Sequence, residues 1–428
     1  MNHKNSQIIN KKIKEHFRDL EKGRKKFIPG KTKIPLAIPP YSSEEVIDSL
    51  DSLLKVQTTM GSKVKKFEKQ FARYIGVKYA IMVNSGSSAN LLALSILSNP
   101  ILKKRIIKKD DEVITPAVTW ATTVYPIINI GAKPVFVDVS SSDYNIDPNK
   151  IESAITKKTK AILLVHLLGN PCNMNKIRKI AKKNNLFIIE DSCEAHGAEF
   201  YDKKVGSFGD LATFSFFASH HITTLEGGMV VTNNHELYEI GNALRTFGWS
   251  RDLKNKNKIE KKFPDIDPRF LFVNLGFNMR PTEIQGAFGI HQIKKLEKFV
   301  NIRISNARYW NNSLKKYSKF LALPTIKDNY KNSFLFYPIT IIKNKYFSKK
   351  EIVKYLEKCG IETRPVMGGN FVEQPVTKYF KYRIGSTLEN SKNVMKNSFV
   401  IGNHSELDKK RREFITLKIS NFLDKKTK

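Results

Sequence analysis

Short apolar runs alternate with helical segments over most of this chain. Runs such as Tyr79–Val83, Ala161–Leu167 and Leu211–Phe216 are rich in Val, Ile and Phe and are bounded by turn residues, which predicts buried strands. Segments such as Ser87–Ser98 and Asn175–Asn184 lie between the runs and have helical spacing. The alternation predicts an α/β fold in which helices cover both faces of a mostly parallel sheet. Ligands of such sheets bind at the carboxyl ends of the strands.

The length of the chain predicts more than one domain, because 428 residues exceed the size at which a single core stops growing. Residues 1–35 have the composition of a basic helix, and this extension is either an arm that packs on a partner subunit or a loosely held segment. Residues 36–300 contain the alternating pattern and form the large domain. Residues 301–428 change character, with a strand predicted over Phe334–Ile342 and a helix over Ser348–Cys359, which indicates a smaller α+β domain.

The formal net charge of +34 is the outlier of the composition. A basic surface is typical of nucleic-acid binding, but here the lysines and arginines are spread through the chain and no nucleic-acid-binding motif accompanies them. We therefore expect no nucleic-acid partner. A positive field would instead attract an anionic substrate such as a nucleotide-diphosphate sugar.

The cysteines and the hydropathy favour a cytoplasmic protein without metal. Cys172, Cys193 and Cys359 lie far apart, which argues for reduced thiols and against a disulfide framework or a cysteine zinc site. The N-terminal residues lack the apolar core of a signal peptide, and no stretch of about 18 apolar residues occurs. We therefore expect neither secretion nor a membrane partner.

Three segments place polar or aromatic residues just after predicted strands. The Ser-rich loop Asn84–Asn90 opens a helix, where backbone N–H groups form a seat for an anion such as a phosphate ester. Alone this is a weak signal, because Ser-rich helix starts are also common structural caps. Trp120 follows the next strand, and Asp191 ends the strand Leu186–Asp191. These residues are expected at one edge of the sheet.

The order of these segments, together with Phe214–Gly228, resembles the DegT/DnrJ/EryC1/StrS family of sugar enzymes that use pyridoxal 5'-phosphate. The resemblance implies an aspartate-aminotransferase-like large domain, followed by the smaller C-terminal domain. It also implies cofactor contacts from Gly86, Ser87, Ser88 and Ser215 to the phosphate, from Trp120 to the ring face, from Asp191 to the ring nitrogen and from Glu194 to the ring oxygen. The segment Gly276–Glu283 resembles one whose asparagine, here Asn278, reaches the phosphate of the neighbouring subunit, so the resemblance implies a homodimer with shared active sites.

One residue departs from the common pattern of that family. Where most members have the lysine that holds the cofactor covalently, this chain has His220, and no lysine occurs between Lys204 and Lys254. The resemblance then implies that pyridoxamine 5'-phosphate, the aminated cofactor, is held noncovalently. It implies that His220 acts as the catalytic base, because imidazole transfers protons near neutral pH.

The histidine and its neighbours resemble the 3-dehydratases of deoxysugar synthesis, above all those that act on GDP-4-keto-6-deoxymannose. Further matching segments are Gly248–Arg251, Arg364-Pro365, Gly369–Phe371 and Ile401–His404. The resemblance implies loss of the C3 hydroxyl, regeneration of the cofactor by L-glutamate, release of ammonia, and a 3,6-dideoxysugar for lipopolysaccharide O-antigen. Candidates for holding the anionic groups of the substrates are Arg251, Arg280 and Arg364, with His221 in a supporting role.

Two alternatives remain open from the sequence. A sister group of 3-dehydratases acts on CDP-4-keto-6-deoxyglucose and carries a [2Fe–2S] cluster, which needs several converging thiolates. No cysteine occurs between Arg251 and Asn278, where that cluster is expected, although the basic N-terminal extension is more similar to the sister group. The other alternative is a sugar-binding homologue without catalysis, which the retention of Asp191, Ser215 and Asn278 disfavours.

Overall fold

The secondary structure follows the alternation closely. The computed structural model describes residues 3–103, 105–251 and 253–427, so Met1, Asn2 and Lys428 of the predicted terminal segments lie outside the described residues. The strands are β1 (Tyr79–Val83), β2 (Glu112–Pro116), β3 (Lys133–Val137), β4 (Thr159–Val165), β5 (Phe187–Asp191), β6 (Glu199–Phe200), β7 (Lys203–Lys204), β8 (Leu211–Ser215), β9 (Gly228–Thr232), β10 (Leu321–Ala322), β11 (Tyr330–Lys331), β12 (Phe336–Ile341), β13 (Thr363–Pro365), β14 (Arg383–Ile384) and β15 (Ser398–Gly402).

The helices occupy the segments between and after these strands. They are α1 (His3–Lys25), α2 (Ser43–Leu54), α3 (Ser62–Ile75), α4 (Gly86–Leu97), α5 (Ala121–Asn129), α6 (Pro148–Ala154), α7 (Met174–Lys183), α8 (His235–Arg245), α9 (Lys256–Glu260), α10 (Glu283–Leu314), α11 (Lys349–Lys358), α12 (Glu389–Asn397) and α13 (Lys409–Thr427).

The largest sheet of the described residues has eight strands in the order β1-β9-β8-β5-β4-β2-β3-β14. Strand β9 runs antiparallel to both of its neighbours, and the other neighbouring pairs are parallel. Every residue of β2, β5, β8 and β9 is buried, because the sheet is covered on both faces, and this is why the strands appear as continuous apolar runs. The predicted α/β class is confirmed.

Two layers of helices cover the sheet. On one face, α4 and α8 pack through residues such as Leu92, Ile96 and Leu244. On the other face, α3 and α10 cover β1, β8 and β9, while α6 and α7 cover the strands from β5 to β3. The buried core therefore lies on both sides of the sheet and fixes the positions of its strand ends.

The C-terminal part contains an antiparallel sheet of order β10-β12-β15-β13, whose core includes Trp310 and Tyr337. Helix α10 extends from Glu283 to Leu314, so it contributes to the cores of both parts. Strand β14 returns from the C-terminal part to the edge of the large sheet. There the Arg383 guanidinium binds the Glu112 carboxylate through two hydrogen bonds of 2.9 and 2.8 Å.

The N-terminal extension folds back on its own chain. Helix α1 packs beside α2, with the rings of Phe17 and Tyr41 6.1 Å apart, and Phe27 packs edge-on against Phe414 of α13. Within the described residues, no helix combines the length and the apolar character that crossing a membrane requires.

Candidate active site

A cavity of about 380 Å³ opens at the carboxyl ends of β1, β2, β4, β5 and β8. Eight of the predicted site residues line it, namely Gly86, Ser87, Trp120, Asp191, Glu194, Ser215, His220 and Arg364. Their convergence follows from the topology, because parallel strands bring their carboxyl ends to one edge of the sheet.

The loop between β1 and α4 forms one wall of the cavity. Ser85 caps the helix by accepting a hydrogen bond from the Ser88 N–H at 3.1 Å. Gly86 lies so close to β8 that an added Cβ would be 2.4 Å from the Cβ of Ser215. The wall therefore presents the first backbone groups of α4 to the cavity, beside the hydroxyls of Ser87 and Ser215.

Asp191 presents a carboxylate that is held entirely by neutral donors. Its Oδ2 accepts hydrogen bonds from Asn90 Nδ2 at 2.9 Å and Thr123 Oγ1 at 2.8 Å, and its Oδ1 accepts one from the Cys193 N–H. The side chain is buried yet lines the cavity. A desolvated carboxylate in this setting favours a cationic or N–H partner in the cavity.

Glu194 lies beside Asp191 and is also buried. Burial raises the pKa of its carboxyl group to about 8, and the nearby charge of Asp191 adds to the increase. One carboxyl oxygen accepts a hydrogen bond of 2.7 Å from the Leu168 N–H. Leu168 has a φ of 55°, a conformation uncommon outside glycine, which commonly accompanies functional sites.

Trp120 and Phe217 line the more open part of the cavity. Trp120 is the residue before α5 and is 56% exposed, so its ring is not part of the core. Phe217 follows β8 and is 46% exposed. Exposed aromatic rings beside a polar cavity offer flat surfaces on which a planar ligand can stack.

His220 lies on the segment between β8 and β9, with its backbone N–H bound to the Phe217 carbonyl at 3.0 Å. Its Nδ1 is fully buried and has no hydrogen-bond partner, whereas the ring as a whole is only partly buried and lines the cavity. Burial, and secondarily the charge of Arg303, lower the pKa of His220 to about 4. The imidazole is thus uncharged near neutral pH and can accept a proton.

The other predicted site residues lie outside the cavity lining. Ser88 occupies the first turn of α4, and His221 is buried with its Nε2 3.0 Å from the Ser333 carbonyl oxygen. Arg251 packs over the Trp249 ring at 3.8 Å. Arg280 lies over the Phe247 ring and donates a hydrogen bond of 3.0 Å to the Asn278 side chain.

Several lining residues were not predicted from the sequence, and Asn90 and Thr123 are the most informative. Both hold Asp191, and both are only 1% exposed. Asn90 gives a usable signal, because it is a polar residue directly before the apolar run Leu91–Leu94 of α4. Phe217, Glu226, Leu335 and Met367 give none, since only the fold brings them to the cavity.

Among the residues that the structure describes, no group of His, Cys, Asp and Glu side chains is arranged to hold a metal ion. The polar groups of the cavity are instead a helix start with hydroxyls, a carboxylate held by neutral donors and an imidazole. These groups suit an organic ligand with an anionic end and a basic ring nitrogen.

Comparison with known proteins supports the same conclusion. GDP-4-keto-6-deoxy-D-mannose 3-dehydratase of Escherichia coli O55:H7 is 42% identical over 349 residues, which is 81% of this chain and 89% of that protein. A solved structure of the E. coli enzyme with bound hydrated PLP has a TM-score of 0.83 at 39% identity and covers 90% of this chain and 98% of that one.

A second solved structure, GDP-4-keto-6-deoxymannose-3-dehydratase with a trapped PLP-glutamate geminal diamine, also has a TM-score of 0.83 at 39% identity and covers 89% of this chain and 99% of that chain. The family model of the DegT/DnrJ/EryC1/StrS aminotransferases matches residues 40–419. The resemblance inferred from the motifs is confirmed, and this chain belongs to the DegT/DnrJ/EryC1/StrS aminotransferase family.

Proposed function

We propose that this protein is a pyridoxal-phosphate-dependent 3-dehydratase that removes the C3 hydroxyl of GDP-4-keto-6-deoxymannose. One observation carries the proposal: the cavity presents the imidazole of His220, and none of its lining residues within the described chain is a lysine. An aminotransferase of this family needs the amine of a lysine side chain to bind the cofactor, whereas a dehydratase needs a base that forms no stable bond to the cofactor. The names of the relatives support the substrate.

The residues of the cavity fit pyridoxal phosphate. The absence of a side chain at Gly86 lets the start of α4 lie directly against Ser215, so that backbone N–H groups and the Ser215 hydroxyl can bind one anion together. Asp191 has only neutral donors around its carboxylate, so the protonated ring nitrogen of the cofactor would be its cationic partner. Trp120 offers its exposed ring for stacking, and the carboxyl group of Glu194 faces the same space. Ser87, Ser88 and Ser215 complete the proposed cofactor contacts.

When bound in its aminated form, pyridoxal phosphate supplies an amine for the 4-keto carbon of the sugar and an electron-withdrawing ring. The protein's part is to orient that ring and to move protons. Asp191 would keep the ring nitrogen protonated, which makes the ring a stronger electron acceptor. Trp120, which lines the same cavity as His220, would restrict the tilt of the ring.

His220 is the proposed base. Its buried Nδ1 leaves Nε2 as the ring nitrogen toward the cavity, and its lowered pKa keeps the imidazole uncharged near neutral pH. After it accepts a proton at Nε2, the resulting imidazolium is a strong acid in this buried position and can return the proton to the departing C3 hydroxyl. The hydroxyl would then leave as water.

The complete reaction also needs an amino donor. Each turnover converts the 4-keto-6-deoxysugar to a 4-keto-3,6-dideoxysugar, releases ammonia and leaves the cofactor as the aldehyde. L-Glutamate restores the amine and becomes 2-oxoglutarate, and the glutamate adduct in the related enzyme supports this choice. Arg364, which lines the cavity with an exposed guanidinium, is the proposed partner of an anionic group of the substrate or of glutamate. The 3,6-dideoxysugar that follows from this product would be used in lipopolysaccharide O-antigen.

We also propose that two chains form each active site. Asn278, Arg251 and Arg280 lie outside the cavity of their own chain, and the nearby segment exposes large apolar side chains, namely Phe263, Ile266, Phe270, Phe272 and Leu275. Such a patch is typical of an interface. In a homodimer these polar residues would face the partner's cavity, where Asn278 would reach the cofactor phosphate.

The reaction can be tested with purified protein, pyridoxal phosphate and glutamate. Glutamate alone is expected to shift the cofactor absorbance to that of the pyridoxamine form. Addition of GDP-4-keto-6-deoxymannose is then expected to release ammonia and give a sugar without its C3 hydroxyl. In a parallel reaction with CDP-4-keto-6-deoxyglucose, we expect less ammonia than with GDP-4-keto-6-deoxymannose. An amino sugar without ammonia, or binding without turnover, would refute the proposal.

The dimer can be tested through Leu275, which is 96% exposed in the single chain. Leu275→Glu places a charge in the proposed interface, and we expect sedimentation analysis to show a shift from dimer to monomer, with dehydration lost in parallel. Leu417→Glu is the matched control, because Leu417 is 53% exposed on the distant helix α13. Equal behaviour of the two variants would contradict the proposed interface.

A further inference from the structure

Asn90 connects parts of the cavity wall that belong to different elements. It lies in the second turn of α4, is buried and lines the cavity. The start of the same helix carries the Gly86 loop, Trp120 directly precedes α5, and Asp191 ends β5. The chemistry proposed above uses these three groups and assigns no role to Asn90.

The Asn90 amide donates to two other elements. Its Nδ2 lies 3.1 Å from the carbonyl oxygen of Thr122, in the first turn of α5, and 2.9 Å from Oδ2 of Asp191. Thr122 is two positions after Trp120 in the chain. A single amide group therefore ties α4 both to the helix start beside Trp120 and to the end of β5.

The orientation of the Asn90 amide is fixed by its surroundings. A carbonyl and an ionised carboxylate have no hydrogen to donate, so an amide turned over would place its oxygen against two acceptors. On the opposite side, the Thr213 hydroxyl of β8 donates a hydrogen bond of 2.6 Å to Asn90 Oδ1. Asn90 is therefore held as a donor toward Asp191.

The two oxygens of Asp191 are occupied unequally as a result. A carboxylate oxygen accepts about two hydrogen bonds, and Oδ2 already accepts two, from Asn90 and from Thr123 Oγ1. Oδ1 accepts one, from the Cys193 N–H at 3.2 Å. Oδ1 is thus the oxygen that retains the capacity to accept a hydrogen bond from a ligand of the cavity.

Burial makes this network costly to disturb. Asn90, Thr123 and Thr213 are at most 1% exposed, and Asp191 is 4% exposed. Hydrogen bonds are stronger in such surroundings than at the surface, and a buried group that loses its partner stays unpaired. Loss of the Asn90 amide would leave Asp191 with one donor fewer and free to change its orientation.

We propose that Asn90 is a positioning residue: its amide fixes the Asp191 carboxylate and the helix start beside Trp120 relative to each other, and so places the two groups that would hold the cofactor ring. Asn90 acts through these two residues, because its nitrogen and its oxygen both have protein partners. The role rests on the proposed function for its effect on dehydration, but cofactor binding can be measured without substrate.

The first test measures the binding of pyridoxamine phosphate to cofactor-depleted protein. Asn90→Leu replaces the amide with an apolar group of similar size. We expect the dissociation constant to rise about tenfold, because one hydrogen bond to a charged group is lost and the carboxylate must be ordered when the cofactor binds. We also expect a weaker circular dichroism signal in the absorption band of the bound cofactor, which reports how firmly its ring is held.

Thr115→Val is the matched control for this substitution. Thr115 is a buried residue of β2, and its hydroxyl has no hydrogen-bond partner among the described residues. The dissociation constant and the dichroism signal of this variant should equal those of the unmodified protein.

A second pair of variants tests the same role without changing Asn90. Thr213→Val removes the hydroxyl that holds the amide oxygen, whereas Thr213→Ser keeps a hydroxyl. We expect the dissociation constant to rise about threefold in the valine variant, because one hydrogen bond between uncharged groups is lost, and to stay unchanged in the serine variant. This comparison gives the answer if Asn90→Leu does not fold.

Turnover separates placement of the cofactor from contact with the sugar. With saturating cofactor, kcat for dehydration should fall about tenfold in Asn90→Leu, whereas KM for the nucleotide sugar should stay unchanged. A higher KM together with unchanged cofactor binding would place Asn90 in the sugar site and overturn the inference.

A purely structural role of Asn90 would lower the melting temperature of Asn90→Leu and leave cofactor binding and the dichroism signal unchanged, which would also overturn the inference. Equal cofactor binding by Thr213→Val and Thr213→Ser would do the same. The expected changes in cofactor binding, in a protein that does not dehydrate the sugar, would refute the proposed function and leave the role of Asn90 standing.

Discussion

Replacement of His220 by asparagine is expected to lower the rate of C3 dehydration by about 10²- to 10⁴-fold, the usual contribution of a positioned general base. Asparagine retains a polar side chain of similar reach but cannot accept the substrate proton. The cofactor contacts of Asp191, Trp120 and the loop at Gly86 do not involve His220, so the cofactor should still bind. The measurement is ammonia release in a single turnover of protein loaded with pyridoxamine phosphate.

A second substitution at the same position tests whether a lysine there would bind the cofactor covalently. In His220→Lys, the lysine is expected to bind the cofactor covalently, so that borohydride reduction fixes it to the polypeptide, and dehydration should be lost. In the unmodified protein the same treatment should leave the cofactor removable. His235→Asn is the control, since His235 is an exposed residue at the start of α8. Permanent attachment of the cofactor to the unmodified chain would contradict the role of His220.

The sequence was sufficient to predict the large sheet and the residues at its carboxyl edge. Strands buried on both faces produce continuous apolar runs, and the turn after each run supplies the residues of the edge, as with Asp191 after β5. The prediction was weaker where a strand is short. Strand β14 has only two residues, and its Arg383 binds Glu112 of β2, which is 271 positions away in the chain.

The residues that hold the site residues in place were harder to predict from the sequence than the site residues themselves. Asp191 is held by Asn90 and Thr123, which lie 101 and 68 residues away. Such contacts follow from the packing of α4 and α5 against the strand ends, and no local pattern predicts them.

Four histidines with lowered pKa values, His196, His220, His221 and His404, should make the folded state sensitive to acid. Burial is the main cause that lowers the pKa of all four histidines, to about 4 for His220, to about 3 for His404 and well below 6.5 for His196 and His221. As the pH falls below about 6.5, the unfolded chain binds protons at these rings while the folded chain does not. The free energy of unfolding therefore decreases with falling pH until the folded pKa values are reached.

Glu194 opposes this trend. Its pKa in the folded chain is about 8, so its carboxyl group stays protonated between pH 8 and about 4.5, where the same group in the unfolded chain is ionised. Near pH 5, unfolding lets four histidines gain protons and one carboxyl group lose its proton. The unfolded chain therefore binds up to about three more protons than the folded chain. We expect the free energy of unfolding to be about 5 kcal/mol lower at pH 5.0 than at pH 6.5, as measured by urea denaturation. His404→Asn should reduce that loss by about 1–2 kcal/mol, because it removes one of the four rings, whereas His235→Asn should leave it unchanged. A free energy of unfolding that stays constant over this range would mean that these rings bind protons at the same pH in the folded and the unfolded chain, which would contradict their lowered pKa values.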